Sequence, residues 1–213
     1  MNTMVIRADS HDAITHIVRT LQAGGLVSFP TDTVYGLAAI PSDKDAVERL
    51  YEAKDRSKTK AIPLLLSESS HVERVAHVPS HCSRAVKKFW PGGLTLILPK
   101  SLEIIEAVSP GPSVAVRVPD LALAREIIEA AGGVLAVTSA NLSDHASATC
   151  AADVERELGG RIELIVDGGS CGNGLASTIL DCTVEPPLVL RHGAVSEEAL
   201  QAVLGSIRMS ASK

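Results

Sequence analysis

The chain is poor in aromatic residues, in cysteine pairs and in long apolar runs, and each shortage removes a class of function. Phe29, Tyr35, Tyr51, Phe89 and Trp90 make up its 2% of aromatics. They are too few and too scattered to form the base-stacking platform of a single-strand nucleic-acid binder. No apolar stretch approaches the ~20 residues of a membrane-spanning helix. The longest, such as residues 62–66, have the length of strands. Residues 1–7 lack a basic segment followed by an apolar one, so no secretory signal is expected and the chain reads as cytoplasmic. A net charge of −5 argues against a broad basic surface that coats nucleic acid. The four cysteines, Cys82, Cys150, Cys171 and Cys182, contain no C-x-x-C pair. They are expected to be reduced, partly buried thiols.

Common catalytic signatures are missing as well. There is no G-x-x-x-x-G-K-[ST] and no G-x-G-x-x-G; Gly168, Gly169, Gly172 and Gly174 have neither spacing. A nucleotide, if bound, must be held without the common phosphate loops. His77 and His81 stand four apart, but Pro79 between them spoils the shared helical face that a zinc pair needs. No G-x-S-x-G elbow offers a hydrolase nucleophile. No protein metal site is expected.

What is present is the composition of one compact domain: 213 residues, 46% hydrophobic, with 11 prolines. A single domain is expected over residues 1–207, followed by a frayed tail at 208–213. Strand-length apolar segments alternate with amphipathic helical ones, the mark of an α/β fold. Helices are expected at 10–23, 43–53, 70–77, 80–89, 120–131, 151–158 and from 196. The second and last begin at the caps Asp43 and Ser196, and Ser70 with Glu73 has capping-box spacing. Strands are expected at 26–29, 62–66, 94–98, 114–118, 134–137, 163–166, 178–181 and 188–191. Irregular connections such as 98–114 do not suit crossovers, so a twisted open sheet of mixed parallel and antiparallel strands, flanked by helices, is expected.

Several strand ends carry hydroxyls and cations. Thr31, Asp32 and Thr33 follow one strand, Arg117 ends another, Ser139 and Asn141 follow a third, and Ser177 opens a fourth. Groups beyond strand ends line the ligand crevice of open α/β sheets. Lys54, Arg56, Lys58 and Lys60 place four cations within seven residues of an otherwise acidic chain. Together these predict a concave anion-binding cavity.

The same residues carry a resemblance. Phe29 to Leu37 (FPTDTVYGL), Lys54-x-Arg56, Trp90-Pro91-Gly92, Val114 to Pro119 (VAVRVP), Ser139-x-Asn141, Asp167-Gly168-Gly169, Ser177-Thr178 and Leu190-Arg191 occur in the order found in the YrdC-like family, over nearly the whole chain. Within that family the sequence resembles the short, single-domain form. It departs from the family pattern at Ala61, Ala146, Ala176 and His192. The resemblance implies a YrdC-like sheet around a central cavity, and synthesis of threonylcarbamoyl-AMP from L-threonine, bicarbonate and ATP with release of pyrophosphate. The product would serve modification of the adenosine at tRNA position 37, through a downstream threonylcarbamoyl transferase complex. The resemblance assigns Lys54 and Arg56 as the catalytic cations. It places Arg56, Lys60, Ser113, Asn141, Thr149 and Arg191 on ATP, and Thr33, Arg117, Ser139 and Ser177 on threonine. Mg2+ would accompany ATP, held mainly by its phosphates.

Two rivals follow from the same residues. One is a non-catalytic protein of ribosome maturation that contacts tRNA or double-stranded RNA through the concave surface; the acidic net charge and the scarcity of aromatics weigh against it. The other is the YrdC-like module of hydrogenase-maturation proteins, whose zinc-finger spacing these 213 residues lack.

Overall fold

In a computed structural model that describes residues 2–101, 104, 106–172 and 174–210, eleven strands form one sheet accompanied by six α-helices. The chain runs β1 (Met4–Arg7), α1 (Ala13–Gln22), β2 (Val27–Phe29), β3 (Gly36–Ala39), α2 (Lys44–Ala53), β4 (Leu64–Leu66), α3 (Ser83–Phe89), β5 (Leu94–Pro99) and β6 (Ser113–Arg117). It continues through α4 (Ala122–Ala130), β7 (Val134–Ser139), α5 (Ala151–Leu158), β8 (Leu164–Asp167), β9 (Thr178–Asp181), β10 (Leu188–Arg191), α6 (Glu197–Leu204) and β11 (Arg208–Met209). Across the sheet the order is β1-β8-β2-β3-β7-β4-β6-β5-β9-β10-β11. The pairs β1/β8, β2/β8, β4/β6, β5/β9 and β10/β11 are parallel, and the remaining five are antiparallel. The sheet is therefore mixed, as expected.

Alternation along the strands divides the core and creates the cavity. On one face Ile17 and Leu21 of α1 and Ile127 and Ile128 of α4 pack with Val27, Leu65, Leu135 and Val137. On the other, Val47 and Leu50 of α2 and Val154 and Leu158 of α5 join a larger cluster with Leu64, Leu66, Val114, Val116, Leu94 and Leu96. Each fully buried aliphatic side chain contributes roughly 1.5–3 kcal/mol. The α1/α4 cluster reaches no farther than Leu65 of β4. Beyond it the alternate residues of β6, β5 and β9, namely Ala115, Arg117, Thr95, Ile97 and Ile179, line open space.

The structure corrects several expectations. Residues 69–74 form a 3₁₀ turn, and Ser70 donates to Glu68 instead of building a capping box with Glu73. Residues 80–82 are also 3₁₀, so α3 begins only at Ser83. Helix α4 is entered through Leu121, while Asp120 pairs with Arg125 at 3.3 Å. Asp43 and Ser196 do cap α2 and α6, accepting from the Ala46 and Ala199 amides. Residues 208–209, expected in the frayed tail, pair with β10; residues 211–213 lie outside the described chain. Strands β1 and β3 were not foreseen. Cys82 and Cys182 are joined in a disulfide, contrary to the expectation of four free thiols, while Cys150 and Cys171 are free. Spacing alone cannot reveal a bridge across 100 residues: Cys82 closes the 3₁₀ turn before α3, and Cys182 follows β9, which pairs with β5.

Candidate active site

The cavity has a volume of about 330 Å³ and lies over one face of β4, β6, β5 and β9. Its lining combines Thr31, Thr33, Thr95, Ser139, Ser147 and Ser177 with three guanidinium groups, Arg56, Arg117 and Arg191, over an apolar floor of Leu65, Ile97, Ala115 and Ile179. Of the residues expected at the site, Thr33, Arg56, Arg117, Ser139, Ser177 and Arg191 line this cavity together. Lys54, Lys60, Ser113, Asn141 and Thr149 stand outside the lining.

Arg117 is held from three sides. Its Nε donates to Gly92 O at 2.9 Å, Nη1 to Thr33 Oγ1 at 2.8 Å and Nη2 to Asp32 Oδ1 at 2.6 Å. Burial lowers its pKa and the Asp32 carboxylate opposes that shift. Thr33 is itself braced by Thr31, whose hydroxyl donates to Val34 O at 2.7 Å. Arg191, from the end of β10, donates Nε and Nη2 to Ser177 O and Nη2 to Ser177 Oγ. Burial lowers its pKa, and the neighbouring charge of Arg117 acts in the same direction. Ser177 Oγ also meets Thr95 Oγ1 at 2.8 Å. Thr95 escaped the sequence reading. Its signal is a hydroxyl at an alternate position within the apolar run of β5.

The opposite wall begins where α2 ends. Asp55 adopts a left-handed φ of 50°, which only a minority of non-glycine residues do. The turn is fixed by Arg161, which donates to Asp55 Oδ2 at 2.9 Å and to Ala53 O. Lys54 and Arg56 therefore go to different places. Lys54 is buried, with its ammonium on the carbonyls of Ser139 and Asn141, and its own carbonyl accepts from the Ser143 amide. Burial, assisted by the nearby Arg56 charge, pushes its pKa down to about 7. Arg56 turns toward the cavity, donating to the carbonyls of Lys60 and Ala61. Lys60 and Asp144 meet at 3.2 Å outside the lining, and Lys58 pairs with Glu48 at 3.5 Å.

The remaining expected residues serve local structure in this state. Asn141 donates its amide to Leu142 O and His145 O, while its buried Oδ1 has no partner. Thr149 presents both its amide and its hydroxyl to Asp153, and the amide chiefly holds that carboxyl well below the usual range. Ser113 O accepts from Ser109. Among the departures from the family pattern, Ala61 O accepts from Arg56, Ala176 lines the cavity, and His192 lies 2.7 Å from Glu197. Tyr35, buried, ties the Asp167-Gly168-Gly169 turn down by donating to Gly169 O at 2.7 Å. No group of three or more metal-ligating side chains occurs among the described residues, and no helix there is long and apolar enough to cross a membrane.

Comparison with known proteins places this geometry among relatives. Residues 19–193 match the Sua5/YciO/YrdC family profile, described as "Telomere recombination". The chain is 39% identical over 191 residues to threonylcarbamoyl-AMP synthase of Pyrococcus abyssi, covering 89% of this chain and 56% of that protein. It is 40% identical over 199 residues to threonylcarbamoyl-AMP synthase of Bacillus subtilis, covering 92% and 58%. The chain thus spans little more than half the length of these relatives. The crystal structure of Pyrococcus abyssi Sua5 complexed with L-threonine superposes with a TM-score of 0.93 at 36% identity, covering 99% of this chain and 63% of that one.

Proposed function

This chain belongs to the Sua5/YciO/YrdC family, and from that membership we propose that it condenses L-threonine, bicarbonate and ATP into threonylcarbamoyl-AMP and pyrophosphate. The observation that carries the reading is a cavity lined by three guanidiniums and a ring of hydroxyls, in a fold shared with a relative crystallised with L-threonine. The non-catalytic alternative is not favoured, because the similar proteins are named as synthases.

The chemistry asks for two anion sites. Threonine's neutral amine adds to CO₂ with release of a proton, or to bicarbonate with loss of water, giving a carbamate whose oxygen then attacks the α-phosphorus of ATP and expels pyrophosphate. The fixed guanidinium of Arg117 suits the amino-acid carboxylate, with Thr33, Ser139 and Ser177 as hydrogen-bonding partners. Arg56 stands on the opposite wall, where cations stabilise charge developing on phosphate. Lys60 adds positive charge when it exchanges Asp144 for phosphate. Asn141, Thr149, Ser113 and Arg191 complete the nucleotide half, with the unpartnered Oδ1 of Asn141 available to a donor. Lys54 acts on the Ser139 to Asn141 segment through backbone carbonyls rather than on substrate.

A free α-amine has a pKa near 7.7–8.0, so a cation-rich cavity that lowers it modestly yields the neutral nucleophile without a dedicated base. ATP would be taken as its Mg2+ complex, the ion helping to neutralise phosphate charge. Asp32 and Asp144, which stand beside the cationic groups, are already paired with Arg117 and Lys60. The adenylate would pass to the threonylcarbamoyl transferase machinery acting on tRNA in the cytoplasm. The test is pyrophosphate release with each substrate omitted in turn. Release should require both L-threonine and bicarbonate, and equal release without threonine would refute the assignment. Serine should substitute poorly, by the ~1–3 kcal/mol that a missing methyl commands.

A further inference from the structure

We infer that Asp32 is a positioning residue that fixes Arg117 for recognition of the amino-acid carboxylate; the inference rests on the threonine-activating reading above. The two arginines at this end of the cavity are not equivalent. Among the described residues, the hydrogen bonds of Arg191 go to the carbonyl and hydroxyl of Ser177. Arg117 has two neutral acceptors, Gly92 O and Thr33 Oγ1, and one carboxylate, Asp32. The Arg117 and Asp32 side chains are only 7% and 17% exposed. Burial disfavours the guanidinium charge, and the Arg191 charge lies close by, so neutral acceptors alone would leave a repelled, desolvated cation.

The Asp32 carboxylate offsets part of that penalty and closes the third side of the frame. A guanidinium has five N–H groups, and three of these are engaged, which leaves one on Nη1 and one on Nη2 for a ligand. Arg117 therefore offers a set geometry more than a free charge, and set geometry selects a planar carboxylate. Asp32 does not itself line the cavity. Its carboxylate is turned to Arg117 Nη2, with the Cys171 thiol near by. It acts through Arg117.

The test compares Asp32→Ala with Asp32→Asn, which keeps an oxygen acceptor but loses the charge, using L-threonine and L-threoninamide, which lacks the carboxylate. Asp32→Ala should raise KM for threonine at least tenfold and leave KM for ATP within twofold. The preference for threonine over threoninamide in kcat/KM should fall at least tenfold, and Asp32→Asn should fall between wild type and Asp32→Ala. Equal changes in both KM values, or an unchanged preference, would overturn the inference. If Asp32→Ala does not fold, the same ratio in Asp32→Asn decides, with a threefold loss expected. If wild type shows no threonine-dependent pyrophosphate release, the functional reading fails separately. Calorimetry of threonine and threoninamide on wild type and Asp32→Asn then decides, and equal affinities for the two ligands in wild type would overturn the inference.

Discussion

The cavity has two cationic walls built on opposite plans. Arg117 and Arg191 rise from strand ends, are anchored by carbonyls and hydroxyls, and Arg117 is almost wholly buried. On the other side Arg56 lines the cavity from a loop whose Lys58 and Lys60 stand outside the lining, with side chains 64% and 49% exposed and a carboxylate partner each. Exposed pairs of this kind contribute about 0–1 kcal/mol. In a linear sequence all these cations count alike. In the fold, what separates them is how many acceptors fix each one before any ligand arrives. Arg56 is the exception on the loop wall, since the carbonyls of Lys60 and Ala61 hold it toward the cavity.

The contrast fails first if Arg56 is dispensable. Arg56→Ala should lower kcat for pyrophosphate release by ~10²–10³, the usual loss when one preorganised group facing transition-state charge is removed. Next comes Arg117→Lys, which keeps charge but loses the planar fork. Threonine affinity by calorimetry should drop about 10- to 150-fold, corresponding to ~1.5–3 kcal/mol, with ATP affinity little changed. The reverse pattern would mean that the two walls serve opposite substrates.

Lys54 sharpens the comparison through pH. Its folded pKa is pushed down to about 7, against ~10.4 unfolded, so between those values the unfolded chain binds a proton that the folded chain does not. Its contribution to stability is therefore full above the unfolded value and is lost as pH falls toward 7, by up to ~1.4 kcal/mol per unit. The stability of wild type relative to Lys54→Met in urea should rise from pH 7 to 9, and a flat difference would refute the buried placement. The smallest effects belong to the exposed pairs. Asp144→Asn should alter KM for ATP less than threefold, and Lys58→Ala should leave turnover within twofold. If Lys58→Ala and Arg56→Ala behave alike, the loop is a diffuse patch and the two walls do not differ.

Strand and helix periodicity made most of the α/β alternation readable, because β5 and β6 are apolar runs of strand length and α2 and α6 begin at true caps. The same reasoning missed β3, whose Gly36 and Ala38–Ala39 have weak strand propensity and are held by pairing with β2 and β7. It also over-read residues 70–77, where a capping-box spacing lies in a 3₁₀ turn fixed by contacts of Ser67 and His71 with Glu129. At the site, the family resemblance assigned Lys54 and Arg56 together as catalytic cations. Only the left-handed Asp55 between them sends one inward and the other to the cavity. The partners of Arg117 and the Cys82–Cys182 bridge depend on contacts 84, 85 and 100 residues apart, which no local pattern encodes.

The alternation in β6 has a consequence for how this sequence can change with time. Val114 and Val116 face the apolar layer while Ala115 and Arg117 face the cavity. A substitution alters one of these environments. Loss or gain of one residue between Ser113 and Arg117 would exchange them, carrying the guanidinium into hydrocarbon and a valine into the site. No later point change at position 117 could repair that exchange. The strand is therefore a segment where length is inherited more strictly than identity, and insertions should be confined to loops such as 106–112 that leave its register untouched.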